Sequence, residues 1–298
     1  PRLERTIGGI GEGYPSPSIA GGRISITGKV GADLKLLCFD LDGEKLWEQT
    51  HGPAFREEDA PHSPYPGARA APTVDGNAIY LLGGLGKLTA YRAVDGEPVW
   101  TVDLVRDLGG RVPPWGYSES VLIDGEKLIC TPGGEKTGTF AALDKKTGRV
   151  VWQSGEVRER AEYASAILIE HEGVRQVVTM TRGGLVAVSP ENGTLLWQHD
   201  RNADNKTIRE NNTAHCNPPV FADGHVFEAT SYQTRGGGAV RLKKTSSGMA
   251  AEPAWQDGSL SVEHGAYVVV DGHIYTSAGA GWACLDLKTG EKRWAGRG

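Results

Sequence analysis

The sequence predicts an all-β fold: a β-propeller of four-stranded antiparallel blades, with about six blades in 298 residues. Three observations predict it. A strand–turn–strand pattern ending in tryptophan recurs along the chain, a second hairpin signal precedes most copies, and no segment sustains the 3.6-residue period of an amphipathic helix. Residues 1–298 read as a single propeller domain, with blades ending near Trp47, Trp100, Trp152, Trp197, Trp255 and Trp294.

The clearest copy runs from Phe140 to Trp152, FAALDKKTGRVVW. An apolar run ends in Asp144, a short loop closes on Gly148, and Val150 to Trp152 form the return strand. Such a loop needs a residue with positive φ at its end, which glycine supplies without strain. Asp144 suits its start because a carboxylate accepts hydrogen bonds from the loop N–H groups. Aligned on tryptophan, Gly43, Gly96, Gly148, Gly193 and Gly290 stand four residues earlier. Small residues occupy the position before the turn: Cys38, Ala90, Ala142, Ala187 and Cys284. The fifth copy diverges, its turn lengthened through Thr245 to Gly248 before Trp255.

Upstream of each copy lies the other hairpin. Asp75-Gly76, Asp124-Gly125, Asp223-Gly224 and Asp271-Gly272 sit between apolar runs, and Gly21-Gly22 and Glu172-Gly173 replace them elsewhere. Asp-Gly in that setting is a strong hairpin signal. Each unit is thus four strands, A to D, repeated every 39–58 residues. A single sheet cannot bury both faces, so neighbouring blades pack together, and each strand-D indole is expected to lie over the small residue on strand C. Residues 1–12 resemble a spare strand D, although the sixth copy carries its own at Lys292 to Trp294. That surplus is consistent with six blades of an eight-bladed ring.

Composition excludes several classes. A net charge of −5 and a pI near 5.9 provide no basic field for nucleic acid or an anionic membrane. No apolar run reaches the roughly 18–20 residues of a membrane-spanning helix. Cys38, Cys130, Cys216 and Cys284 lie far apart with no C-x-x-C, which argues against structural zinc and a redox pair and reads as buried free thiols.

The A-x-D-x-x-T-G-x-x-x-W pattern, at Ala142 to Trp152 and again from Cys284 to Trp294, resembles the PQQ-like β-propeller repeat. WGYSE (115–119), ICTPGG (129–134) and GWACLDLKTG (281–290) resemble one branch, the exported bacterial PQQ-binding-like propellers of unassigned function. Quinoprotein alcohol dehydrogenases and the outer-membrane assembly propeller lipoprotein share that repeat. The resemblance implies export to the periplasm or cell envelope. It also implies PQQ with Ca²⁺ as one functional class, but the vicinal Cys-Cys pair and the Glu, Asn and Asp set of those dehydrogenases match no motif here.

Antiparallel order puts the tight A–B and C–D turns at one end of each blade and the longer connections at the other, where binding residues concentrate. Residues entering each strand A are expected at the channel mouth: Tyr14, Arg69, Tyr117 with Glu119, Tyr163, Asn212 with His215, and Glu263 with His264. Of these, Arg69, Tyr117, Glu119, Asn212, His215 and His264 are the ligand-binding candidates. Arg69 suits a bidentate carboxylate, Glu119 a general base or cation ligand, and His215 or His264 a base or metal ligand. Ordered water held by a polar channel explains the same residues without a ligand. Two functions follow. One is a non-catalytic scaffold presenting the loop-rich face to a protein partner, with no cofactor. The other is a quinoprotein-like oxidoreductase using PQQ and Ca²⁺. A carbohydrate-binding or hydrolytic propeller is a third class, for which the sequence assigns no carboxylate pair.

Overall fold

The computed structural model describes residues 5–56, 66–201, 214–232, 235–246, 248–264, 267–278 and 281–297. The described residues contain no α-helix and form six four-stranded antiparallel sheets, each a meander in chain order. The chain gathers into two compact units, residues 1–152 and 153–298.

The first unit holds three sheets. Sheet one comprises β1 (Ser18–Ala20), β2 (Arg23–Val30), β3 (Asp33–Asp40) and β4 (Lys45–Pro53). Sheet two comprises β5 (Thr73–Asp75), β6 (Ala78–Leu82), β7 (Lys87–Arg92) and β8 (Pro98–Asp103). Sheet three comprises β9 (Leu122–Asp124), β10 (Lys127–Cys130), β11 (Ala141–Asp144) and β12 (Val150–Gln153). Leu34 and Leu36 of the first sheet close on Ile79 and Leu81 of the second in one buried cluster.

The second unit holds β13 (Ile167–His171), β14 (Val174–Thr181), β15 (Gly184–Val188) and β16 (Leu195–His199) as its first sheet. The next is β17 (Val220–Ala222), β18 (His225–Thr230), β19 (Gly236–Thr245) and β20 (Gly248–Asp257). The last is β21 (Tyr267–Val270), β22 (His273–Ala278), β23 (Gly281–Asp286) and β24 (Lys292–Gly296). Phe227 and Ala239 pack there against Tyr267, Ile274 and Leu285.

The Asp-Gly hairpins form at the expected places but in two registers. At Asp223-Gly224 and Asp271-Gly272 both residues are the loop, with φ of 47°, 71°, 48° and 72°, as a type I′ turn requires. At Asp75 and Asp124 the aspartate ends its strand, and Gly76 or Gly125 opens a loop in which only the glycine has positive φ. The C–D turn matches the sequence argument closely. Asp144 Oδ1 accepts from the backbone N–H of Lys146 and Thr147 and from Thr147 Oγ1 at 2.8–3.1 Å. Asp286 repeats all three bonds in the last blade.

The tryptophans do more than the sequence implied. Five small residues do face their tryptophans across the sheet: Cys38–Trp47, Ala90–Trp100, Ala187–Trp197, Ala239–Trp255 and Cys284–Trp294. The indole, however, reaches the next blade's turn. Trp47 Nε1 donates to Ala93 O at 3.3 Å, Trp100 Nε1 to Lys145 O at 3.0 Å, and Trp255 Nε1 to Leu287 O at 2.8 Å. The turn glycine then lies flat on the ring. A methyl group on Gly96, Gly148 or Gly290 would come within 2.5–2.8 Å of Trp47, Trp100 or Trp255 respectively. Trp197 departs from this pattern and donates to Gln176 Oε1 at 2.5 Å. Its surroundings explain why: the lengthened β19–β20 hairpin buries Leu242 and Met249 in the cluster around Trp197. Trp294 is 49% exposed.

Candidate functional site

Polar side chains on strands A and B, and on the connection before β17, bind one sheet to the next. Within the first unit, Ser18 Oγ donates to Pro72 O, Thr27 Oγ1 to Ala70 O at 3.1 Å, and Thr73 Oγ1 to Val121 O at 2.7 Å. Within the second, Asn217 Nδ2 lies within hydrogen-bond distance of Ala229 O, Val262 O and Glu263 O. Buried carbonyls left over at the sheet ends need such donors, because desolvation without a partner is costly.

In the first unit Tyr117 and Glu119 both reach the Thr131–Pro132 segment, and Arg69 lies against Phe55. The guanidinium carbon of Arg69 sits 5.1 Å from the ring centroid of buried Phe55, a cation–π contact. Tyr117 is buried and donates its hydroxyl to Pro132 O at 2.7 Å; burial raises its pKa far above the ordinary phenol value. Glu119, 2% exposed, accepts the backbone N–H of Thr131 at 2.6 Å, and burial pushes its carboxyl up to about 7. Tyr14, by contrast, is exposed. Around Tyr117 the connections 104–117 and 131–139 lock together. Arg111 N donates to Pro132 O at 3.2 Å and Thr137 Oγ1 to Leu108 O at 2.7 Å.

In the second unit, His215 is buried, its backbone N–H donating to Glu162 Oε2 at 3.1 Å and its carbonyl accepting from Tyr163 N. Burial, and then the charge of Arg201, hold the imidazole down to about 4, so it is neutral at physiological pH. Among the described residues its Nδ1 has no hydrogen-bond partner. His264 is exposed; its Nε2 lies 2.9 Å from Tyr232 Oη, and the rings meet edge to face at 5.9 Å. Tyr232 has φ of 51°, an uncommon conformation for a bulky residue. Asn212 lies outside the described residues.

Two residues that sequence reasoning did not select dominate this corner. Arg201 Nε donates to Glu228 Oε1 at 2.7 Å, and the two side chains are only 9% and 5% exposed. Arg201 Nη1 and Nη2 also reach Arg235 O and Gly236 O. Burial raises the Glu228 carboxyl against the opposing pull of Arg201. A signal for Glu228 was present: HVFEAT, the only carboxylate in a strand buried along its length.

The quinoprotein resemblance requires a cation held by several carboxylate or amide oxygens. Among the described residues, no three His, Cys, Asp or Glu side chains stand together as a cation site. Cys38, Cys130, Cys216 and Cys284 are free thiols.

Comparison with known proteins agrees with the repeat. The structure of BamB from Moraxella catarrhalis superposes with a TM-score of 0.63 at 16% identity, covering 95% of this chain and 72% of that one. A quinohemoprotein alcohol dehydrogenase from Comamonas testosteroni gives 0.62 at 14% identity, covering 94% and 58%. These likenesses establish the propeller fold. The outer membrane protein assembly factor BamB of Shewanella oneidensis is 26% identical over 175 residues, 53% of this chain and 40% of that relative's length. A family model described as outer membrane protein assembly factor BamB matches residues 32–296, nearly all of the repeats described above. By that match, the chain belongs to the BamB family of PQQ-like β-propellers.

Proposed function

We propose that the chain is a non-catalytic scaffold in the bacterial cell envelope that binds a protein partner engaged in outer-membrane protein assembly. The family match over residues 32–296 carries this reading. The candidate acids and imidazoles are consistent with it. Glu119 and His215 are buried, with hydrogen bonds to or from backbone N–H groups, and Tyr117 is closed over by Pro132. Irregular connections on a rigid set of sheets are where partner recognition concentrates.

The partner surface is tested by placing a photocrosslinking residue at exposed positions on the long connections, Tyr14, Arg106 and Tyr232. The opposite turns, Lys146 and Lys288, serve as controls in the periplasm of the native host. The reading requires an adduct with an outer-membrane assembly protein from at least one connection position and none from the turns. Equal labelling at both ends, or adducts from the turns alone, would refute it. A separate titration with PQQ and Ca²⁺ tests the oxidoreductase alternative. A ligand at 100 times its Kd stabilises the folded state by about 2.7 kcal/mol. A saturable thermal shift of that order overturns the non-catalytic reading.

A further inference from the structure

The first and last sheets each carry one half of a contact that the chain makes in full elsewhere. Between the fifth and sixth sheets, Trp255 Nε1 donates to Leu287 O at 2.8 Å, the indole lies on Gly290, and Phe227 stacks behind it. Tyr275, Cys284 and Trp294 of the last sheet repeat the row of Phe227, Ala239 and Trp255, strand by strand. Alternation puts Trp282, Val268 and Val270 on the same face as that row. All of its large apolar members are exposed, the three aromatic residues by 37–55%. At ~150–250 Å² for a whole aromatic side chain, those rings alone leave roughly 200–350 Å² uncovered. Contiguous apolar patches of a few hundred Å² mark interaction surfaces.

The first sheet carries the other half. Leu41 follows Asp40 in its C–D turn as Leu287 follows Asp286, but Leu41 is 57% exposed where Leu287 is 0%. Ile19 pairs with Ile24 as Val269 pairs with Ile274, yet Ile19 is exposed whereas Val269 packs between sheets. The turn glycine here is Gly43, and a methyl group on it would come 3.2 Å from Ile7 Cγ1. Ile7 thus stands beside Gly43 where an indole stands in other blades, and being smaller it leaves a cleft. That cleft, of about 300 Å³, is bounded by Ile7, Phe39, Gly43 and Lys45. An apolar cavity of only ~150 Å³ holds benzene, so the cleft has room for an indole beside Ile7.

We propose that the last blade of one copy docks on the first blade of a second copy, with Trp294 in the Gly43 cleft and its Nε1 donating to Leu41 O. The contact is apolar in origin. Lys288 pairs with Asp223 of the preceding blade at 3.5 Å, whereas Asp42 holds the Lys288 position in the first blade and would face Asp271. Arg5 Nη2 already pairs with Asp42 at 3.1 Å and offsets that repulsion. The exposed patch is smaller than the ~800 Å² per partner of a standard interface, which makes the association weak, in the micromolar range. It is heterologous, so copies add head to tail. It uses sheet faces rather than the long connections and stands apart from the partner surface proposed above.

The test is sedimentation velocity of the full chain across the micromolar range, unaltered and as two variants. Trp294→Asn removes the docking indole, and Leu41→Asp puts a carboxylate on the receiving turn. Both positions are exposed, so both variants should keep the fold, as thermal melting would verify. The unaltered chain should associate with rising concentration, and each variant alone should be monomeric. An equimolar mixture of the two variants should form a dimer and nothing larger, because one intact head then meets one intact tail. A chain that is monomeric throughout, association that survives either substitution, or a mixture that stays monomeric overturns the proposal. Binding of a monomer to anionic phospholipid vesicles through Trp294 overturns it as well. Should Trp294→Asn fail to fold, Trp282→Asn takes its place, with association expected to weaken at least tenfold.

Discussion

Gly290 and Gly272 make a matched pair for testing how blades are held together. Both lie in turns of the last blade, with φ of 71° and 72°. A methyl group on Gly272 meets nothing within 4 Å, whereas one on Gly290 falls 2.5 Å from Trp255 Cδ2 and 2.6 Å from Cε3. Alanine at either position incurs the left-handed backbone penalty, about 1–2 kcal/mol. Gly290→Ala must also displace an indole by roughly 1 Å to restore normal contact. That ring has nowhere to go, since Phe227 stacks on it at 5.7 Å and Leu287 O holds its Nε1. Overpacking of this kind costs about 1–3 kcal/mol. We expect Gly272→Ala to lose about 1–2 kcal/mol and Gly290→Ala about 2–5 kcal/mol, in urea denaturation followed by far-ultraviolet circular dichroism. In a Trp255→Leu background the excess should disappear. Equal losses at the two glycines, or an excess that survives removal of the indole, would refute the stacking argument.

Three further outcomes follow from the same contacts. Tyr80 Oη and Trp100 Nε1 both donate to Lys145 O, at 3.1 and 3.0 Å, so Tyr80→Phe should cost about 1 kcal/mol, Trp100→Phe at least as much, and the double variant more than their sum, because only then is the carbonyl orphaned; strict additivity would contradict it. Glu119 titrates near 7 in the fold and at an ordinary 4.5 when unfolded, so the folded state holds the extra proton and loses up to about 3 kcal/mol as pH rises through that window. The melting temperature of Glu119→Gln should therefore fall less than that of the unaltered chain between about pH 5 and 7.5. Buried His51 behaves in the opposite sense: held down to about 4 by burial, it contributes stability above 6.5 that is lost on acidification, and His51→Gln should flatten the acid limb of the same profile.

How much of this was legible depends on the range of the interaction. Asp144, Thr147 and Gly148 lie within five residues, and their hydrogen bonds are local, so the turn could be derived from composition alone. Trp100 and Gly148 are 48 residues apart, and the recurrence of both at fixed spacing signalled a contact without saying which blade's glycine met which indole. The ligand candidates were chosen by position at the start of strand A, which finds side chains near the sheet ends but not their burial. Tyr117 and His215 turn inward, whereas His264, one repeat later, stays exposed. Arg201 and Glu228 escaped because the arginine sits in a connection with no repeat partner, and only the odd carboxylate in HVFEAT marked their meeting.

The exception at Trp197 is the best reason to regard the indole–turn contact as the rule that orders the repeat. Within each unit, Trp47, Trp100 and Trp255 precede a blade that keeps its glycine turn, and each indole donates to a backbone carbonyl of that turn. The blade after Trp197 has no such turn, because β19 and β20 run ten residues each before reversing at Thr245–Gly248. Two substitutions then appear together. Gln176 supplies the acceptor from the indole's own sheet, and Leu242 with Met249 supply the apolar cover that a glycine turn provides elsewhere. A buried indole N–H requires an acceptor, so losing the turn without gaining Gln176 would leave a donor unpaired at about 1–3 kcal/mol. The longest hairpin and the displaced indole bond are one adaptation. It lies in the same blade as Glu228, the buried carboxylate that pairs with Arg201.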